Sequence, residues 1–365
     1  MGSGIAITAN GAPAADLAEA NQVEVIERAG EATAYRLHYA VDISGGDLPM
    51  LVDGRLDPGA ELSILAPTAA GTACLVKGPV HGQQIRLRHG GAGSMLTVLG
   101  ADTSIVMDRE TRTVQWADVT DSEAVAAILA NYGYTPDVAS TSAGHFTAKH
   151  TLVQRDSDLR FVKRLARRNG YLFWLTTDES GQETAHFKPP PLDGEAAGEL
   201  IINLASPTLA SLDLRWDVER PTSVIGQQLD LNSLSPIDGG VAVSPQPVLG
   251  DVGLQAITGD TRSVHLLAPG DDAGNLQARG NGLLTESDWF IQATCATSLH
   301  ALGGLVRAHT LVNLRGAGSR YSGLYFVTGV HHSIDAAAHR MEITLARNGW
   351  LAGGGASSLL GGLGL

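Results

Sequence analysis

QRDSDLRFVKRLARRNGY, residues 154–171, is a helix with both of its ends written into it. Ser157 is the residue type that accepts a hydrogen bond from a free N–H at a helix start, and Gly170 supplies the left-handed turn that ends one. Between them Leu159, Val162, Leu165 and Ala166 fall on one face, which is predicted to be buried. The other face carries Arg160, Lys163, Arg164, Arg167 and Arg168, the strongest charge feature of the chain. Asp156 and Asp158 flank the start, where carboxylates offset the partial positive charge of the helix end, so capping accounts for them without acid–base chemistry. Tyr171-Leu172-Phe173-Trp174-Leu175 then reads as a strand by its aromatic and aliphatic content.

Upstream, Thr120-Asp121-Ser122-Glu123 has the form of a capping box, Val125, Ile128, Leu129 and Tyr132 share a face, and Gly133 gives the stop. Residues 115–190 are therefore predicted to form a small α/β unit, closed by Lys188-Pro189-Pro190-Pro191, which cannot donate to a strand ladder. The flanks have a period of two. In 21–114 these runs include Val23–Ile26, Arg36–Val41 and Glu61–Leu65, with turns at Asp57-Pro58-Gly59 and Gly90-Gly91-Ala92-Gly93. In 198–350 they include Leu200–Leu204, Ser211–Trp216, Thr222–Leu229, Leu311–Leu314, Gly323–Thr328 and Arg340–Leu345, with a polar, Gly-rich and irregular insert expected near 230–290. Residues 1–20 read as an N-terminal extension and 351–365 as a Gly/Leu-rich tail. The predicted fold class is mainly β with a small α/β insert.

Composition agrees. Hydrophobic residues make up 44% and charged residues 17%, and the 44 glycines suit short strands and tight turns. A net charge of -13 repels DNA over most of the surface, which argues against sequence-specific nucleic-acid binding. No basic, apolar leader opens the chain and no window approaches the roughly 18 apolar residues of a membrane span, so a soluble chain made in the cytoplasm is expected. Cys74 and Cys295 read as buried free thiols.

Few residues carry a chemical signature. His81 and His89, His145 and His150, His300 and His309, and the adjacent His331 and His332 lack the helical spacing of a metal site, and His331 and His332 read as one core and one exposed histidine. Neither cysteine lies in a nucleophile signature, and no serine is framed as Gly-x-Ser-x-Gly. No catalytic residue, metal ligand or cofactor site is predicted. The basic face at 160–168 has two readings: a docking face for an acidic neighbouring subunit, or a solvated face paired with nearby carboxylates. Trp116, Trp174, Trp216, Trp289 and Trp350 are scattered and lie within or beside apolar runs, as core residues rather than a carbohydrate platform.

Three segments, in order, resemble the phage late control protein D family, the baseplate hub proteins related to the N-terminal part of the VgrG spike. The first runs from Lys77-Gly78-Pro79-Val80 through Leu96-Thr97-Val98-Leu99-Gly100-Ala101-Asp102 to the helix ending Tyr132-Gly133-Tyr134. The second, the most specific, is 154–171, similar to the family's Q-x-x-E-S-D-x-x-F-l-x-R-l-A-x-x-x-G block with Asp156 in place of the usual glutamate. The third is Tyr321 to His332 together with Met341 to Arg347. The resemblance implies two related, tail-tube-like β-barrel domains per chain and a homotrimer forming a pseudo-sixfold ring. Its implied partners are the tail tube protein, a central spike and the baseplate wedge or adaptor proteins, within the baseplate of a virion or phage-tail-like particle. VgrG chains continue into a further barrel and a β-helical needle, whereas this sequence stops soon after 350, which implies that the spike is a separate polypeptide. A tail-tip cell-wall hydrolase and a host-binding β module are the competing expectations.

Overall fold

The computed structural model describes residues 4–41, 49–68, 71–89, 91–147, 151–229, 234–259, 261–266 and 272–352. Gly90, His150 and the Gly/Leu-rich tail from 353 onward lie outside the described residues. Both helices of the small α/β unit start where their caps place them, and the first ends at Ala130, short of the expected stop at Gly133. Helix Asp121–Ala130 starts at Thr120, whose hydroxyl accepts from the Glu123 N–H while the Glu123 carboxylate accepts from the Thr120 N–H. Helix Asp158–Asn169 starts at Ser157 and stops at Gly170, where φ is 69°. Strands Leu172–Thr177, Glu183–Lys188 and Thr135–Val138 form a three-stranded sheet beside them, and Val125, Leu129, Phe161, Leu165, Phe173 and Phe187 fill the space between.

The remaining long strands belong to one 13-stranded sheet. Strand Gln22–Arg28 lies antiparallel to Gly323–Asp335, with Val25 opposite His332 and Glu27 opposite Val330. That ladder runs unbroken from the N-terminal half of the chain to the C-terminal half, so the two β regions share one sheet. Among the described residues its path is open, ending in strand Ala12–Pro13 at one edge and Ser211–Trp216 at the other. Each half still buries a core of its own, Leu37, Leu62, Ile64 and Val98 in the first and Ile291, Val312, Ile343 and Leu345 in the second. Alternation explains this, because a strand with one apolar face can cover a core wherever its ladder partner comes from. The start of the described chain is tied into the first half. Strand Ala6–Ala9 pairs with Glu61–Thr68, and Ile7 and Leu17 sit in the first core.

The segment expected to be irregular contains a 15-residue helix, Ala273–Ser287, capped by the Asp272 carboxylate accepting from the Asn275 N–H at 2.9 Å. Gly274, Gly280 and Gly282 hide it in the sequence, since each glycine costs a helix about 1 kcal/mol of propensity. Packing explains Gly282. A β-carbon there would meet the carbonyl oxygens of Arg167 and Arg168 at 2.7 Å, so this helix rests directly on the end of helix Asp158–Asn169. Gly282→Ala is expected to destabilise the chain by about 1–3 kcal/mol by forcing the two helices apart. A urea midpoint equal to that of the parent would show that the contact is slack. Strand Ile291–Ser298, central between Ser211–Trp216 and His339–Arg347, is also absent from the sequence reading. Its inward residues include Ala293, Cys295 and Thr297, too small to give a strong apolar signal.

Both cysteines are free and buried, and burial pushes their thiols up to about 11 at Cys74 and about 12 at Cys295. Among the described residues no helix is long and apolar enough to cross a membrane.

Candidate protein–protein interface

Four cationic side chains of helix Asp158–Asn169 face outward or into a cleft, and the fifth does not. Arg168 turns inward. Its guanidinium meets Asp121, a fully buried carboxylate, with Nε donating to Oδ2 at 3.0 Å; Asn169 donates to the same oxygen at 2.7 Å, and His145 Nε2 lies 2.9 Å from Oδ1. Burial works to raise the Asp121 carboxyl, but hydrogen bonds from His145 and Arg168 outweigh it and hold it below the usual carboxylate range. Arg168 is thus a clamp between the two helices of the small unit rather than part of an outer face. Arg168→Ala is expected to cost about 3 kcal/mol, because it strands a buried charge. Arg167→Ala, one position away and exposed, should change stability by no more than about 0.5 kcal/mol. Chemical denaturation of the two variants side by side checks the contrast.

The start of the helix holds more than a cap. The Asp158 carboxylate is buried and accepts from Tyr132 Oη at 2.7 Å and Gln154 Nε2 at 2.6 Å, with Arg112 Nη1 at 3.2 Å. Asp158 therefore ties the start of this helix to the end of the preceding one. Asp156 instead pairs with Arg164 at 3.1 Å, and Asp108 with Arg160 at 3.1 Å.

Lys163 and Arg167 line a cleft of about 810 Å³. One wall is helix Asp158–Asn169 and the other is Ala273–Ser287 with Trp289; the floor comes from Gly323–Asp335 and the end of Gln22–Arg28. Trp289 stacks on Phe326 with ring centroids 5.4 Å apart, and Ala29 and Leu172 pack into the same small apolar cluster. Sequence reading reached the basic face but not the aromatic floor. Trp289 lies 122 residues beyond Arg167, in the segment whose glycines masked its helix.

A second constellation, also unread in the sequence, joins the three parts of the chain. Glu27 is buried on strand Gln22–Arg28, and Arg307 Nε donates to its Oε1 at 2.5 Å while the Ala308 N–H donates to Oε2 at 2.8 Å. The same guanidinium donates to the carbonyls of Cys74 and Leu75 at 2.8 and 2.9 Å. His332 Nε2 lies 3.5 Å from Glu27 Oε1, and its Nδ1 is 2.9 Å from His339 Nε2. Burial opposes the charge on Glu27, but Arg307 and His332 outweigh it and hold the carboxyl down at about 2. Two residues on, His309 stacks flat on Trp174 of the small unit at 4.3 Å, and His186 covers the other aromatic contact at 4.7 Å. His332 is a core histidine and His331 is half-exposed, the division its strand position implies. Among the described residues no three His, Cys, Asp or Glu side chains are placed to hold a metal ion.

Comparison with known proteins places this architecture. A family model described as the Alg8 N-terminal domain matches residues 4–209. The 43 kDa tail protein of prophage MuSo2 from Shewanella oneidensis superposes with a TM-score of 0.68 over 94% of this chain and 98% of that one, at 14% identity. A tail protein from Neisseria meningitidis MC58 gives 0.64 over 94% and 96%, at 11% identity. The E. coli c3393 protein, a component of the type VI secretion system with structural similarity to the T4 bacteriophage tail proteins gp27 and gp5, gives 0.56 over 90% and 73%, at 13% identity. At these identities the likeness is one of fold. No curated protein matches the chain in sequence.

Proposed function

Because the chain belongs to the family described as the Alg8 N-terminal domain and folds as tail proteins do, we propose that it is a structural baseplate hub of a phage tail or phage-like contractile injection system. In this reading it is a homotrimeric adaptor between a hexameric tail tube and a central spike, made in the bacterial cytoplasm and built into the baseplate. The observation that carries it is the end-to-end fold match with a tail protein, over 94% of this chain and 98% of the other. The two halves of the 13-stranded sheet would each act as one tail-tube-like unit, so that three chains present six to the tube. The open edge at Ser211–Trp216, with Trp216 exposed, supports assembly as well, since an uncovered edge strand is a template for pairing and a neighbouring subunit would cover it.

A density map of the assembled particle is the direct test. The expected position is on the central axis between tube and spike, in three copies; a place on the periphery would overturn the proposal. A peptidoglycan zymogram separates it from a cell-wall hydrolase, with no clearing expected from the purified chain.

A further inference from the structure

The cleft beside helix Asp158–Asn169 holds two cationic side chains that form no ion pair among the described residues. Arg160 and Arg164 are matched by Asp108 and Asp156. Lys163 and Arg167 line the cleft, and neither makes an ion pair or a side-chain hydrogen bond among the described residues. Lys163 is half-buried, and the loss of water lowers its pKa although Asp102, Glu31 and Asp108 attract it from a distance. A partly desolvated ammonium without a partner is costly to the fold and is satisfied by an incoming carboxylate.

The spacing defines what fits. Residues four apart on a helix have β-carbons about 5–6 Å from each other, so Lys163 and Arg167 stand side by side in a cleft also lined by Trp289, Phe326 and Leu172. A volume of about 810 Å³ lies within the range of pockets that enclose a ligand of several groups. We infer that this cleft receives an acidic peptide segment of a partner protein, with carboxylates on Lys163 and Arg167 and an apolar side chain against Trp289. A nucleic acid fits less well. Glu31 and Glu286 also line the cleft, and the net charge of -13 repels a polyanion, whereas a short segment with one or two carboxylates beside an apolar residue matches both rim and floor. The inference rests on the baseplate reading only for the source of the segment, a neighbouring subunit of the particle.

The probe is a panel of fluorescein-labelled peptides in which Asp and Glu surround a single Leu, Phe or Trp, each compared with its Asn and Gln counterpart by anisotropy on the full chain. Acidic members should bind about tenfold or more tightly than their amide counterparts, and more weakly as salt rises. Lys163→Gln and Arg167→Gln should each weaken binding about tenfold, whereas Arg160→Gln should have little effect. Melting temperatures of the variants, expected to stay at the parent value, exclude unfolding as the cause. Equal binding of acidic and amide peptides, full binding by the double variant, or tighter binding of an oligothymidylate would overturn the inference. A chain that trimerises but ignores the peptides would sink only the cleft; a monomer that binds them would sink only the baseplate reading.

Discussion

Arg307→Leu is expected to cost the fold about 3–5 kcal/mol. The guanidinium serves three partners at once: the buried Glu27 carboxylate and the carbonyls of Cys74 and Leu75. Leucine fills much of the same space and offers none of these hydrogen bonds. It would leave a buried carboxylate whose pKa is now held at about 2 by Arg307 and His332, with His332 and the Ala308 N–H as its remaining neighbours. The loss is a large part of the roughly 5–15 kcal/mol that holds a typical domain together. It falls on the contact that ties strand Gly71–Arg86 and strand Gln22–Arg28 to the segment leading into strand Leu311–Arg315. Glu27→Gln in the same chain should recover part of the loss, since it removes the stranded charge. A double-mutant cycle by urea denaturation measures the coupling, and additive single effects would show that Glu27 and Arg307 are not partners.

Acid is expected to unfold the chain well above the pH at which carboxylates alone titrate. Burial holds His309 down to about 3, and burial together with His332 holds His339 down to about 4. Burial also lowers His332, despite the pull of Glu27. Geometry agrees, for His309 Nε2 and His339 Nδ1 are buried without hydrogen-bond partners among the described residues. In the unfolded chain all three take a proton near pH 6.5. Below that value the unfolded state holds more protons than the folded one, so stability is full above about 6.5 and falls as pH falls. With two histidines still neutral in the fold, the slope is about 2.7 kcal/mol per pH unit between roughly pH 6 and 4. Glu27 acts lower: its contribution is present above its ordinary value and is lost as pH falls towards about 2. Melting temperature should therefore drop steeply from pH 6 to 4, and the double variant His309→Gln, His339→Gln should flatten the curve. A melting temperature that is level from pH 7 to 4 would contradict the placement of these rings.

Local signals made half of this architecture readable. Thr120 with Glu123, and Ser157 with Gly170, fix helix ends through bonds spanning only a few residues, so they are visible in a single line of sequence. Strands such as Ala34–Ala40, with Tyr35, Leu37 and Tyr39 buried on one face, are visible for the same reason. What stayed hidden depends on long-range packing. Gly282 looks like a helix breaker until the carbonyls of Arg167 and Arg168 are seen against it. Arg167 and Arg168 are one residue apart and indistinguishable by type, yet only Arg168 meets Asp121, 47 residues earlier in the chain. Glu27 and Arg307 are 280 residues apart, and no spacing rule links them. The candidate interface was thus legible as a charged face but not as a cleft, because its floor comes from strands that the sheet brings in from both ends of the chain.

Shape is proposed to be the work of this molecule, with a collar of three chains as the functional form. Sedimentation of the purified full chain weighs that form directly. The expected result is a single species of three times the 38.0 kDa chain mass that persists on dilution; a monomer at every concentration and salt condition would contradict it.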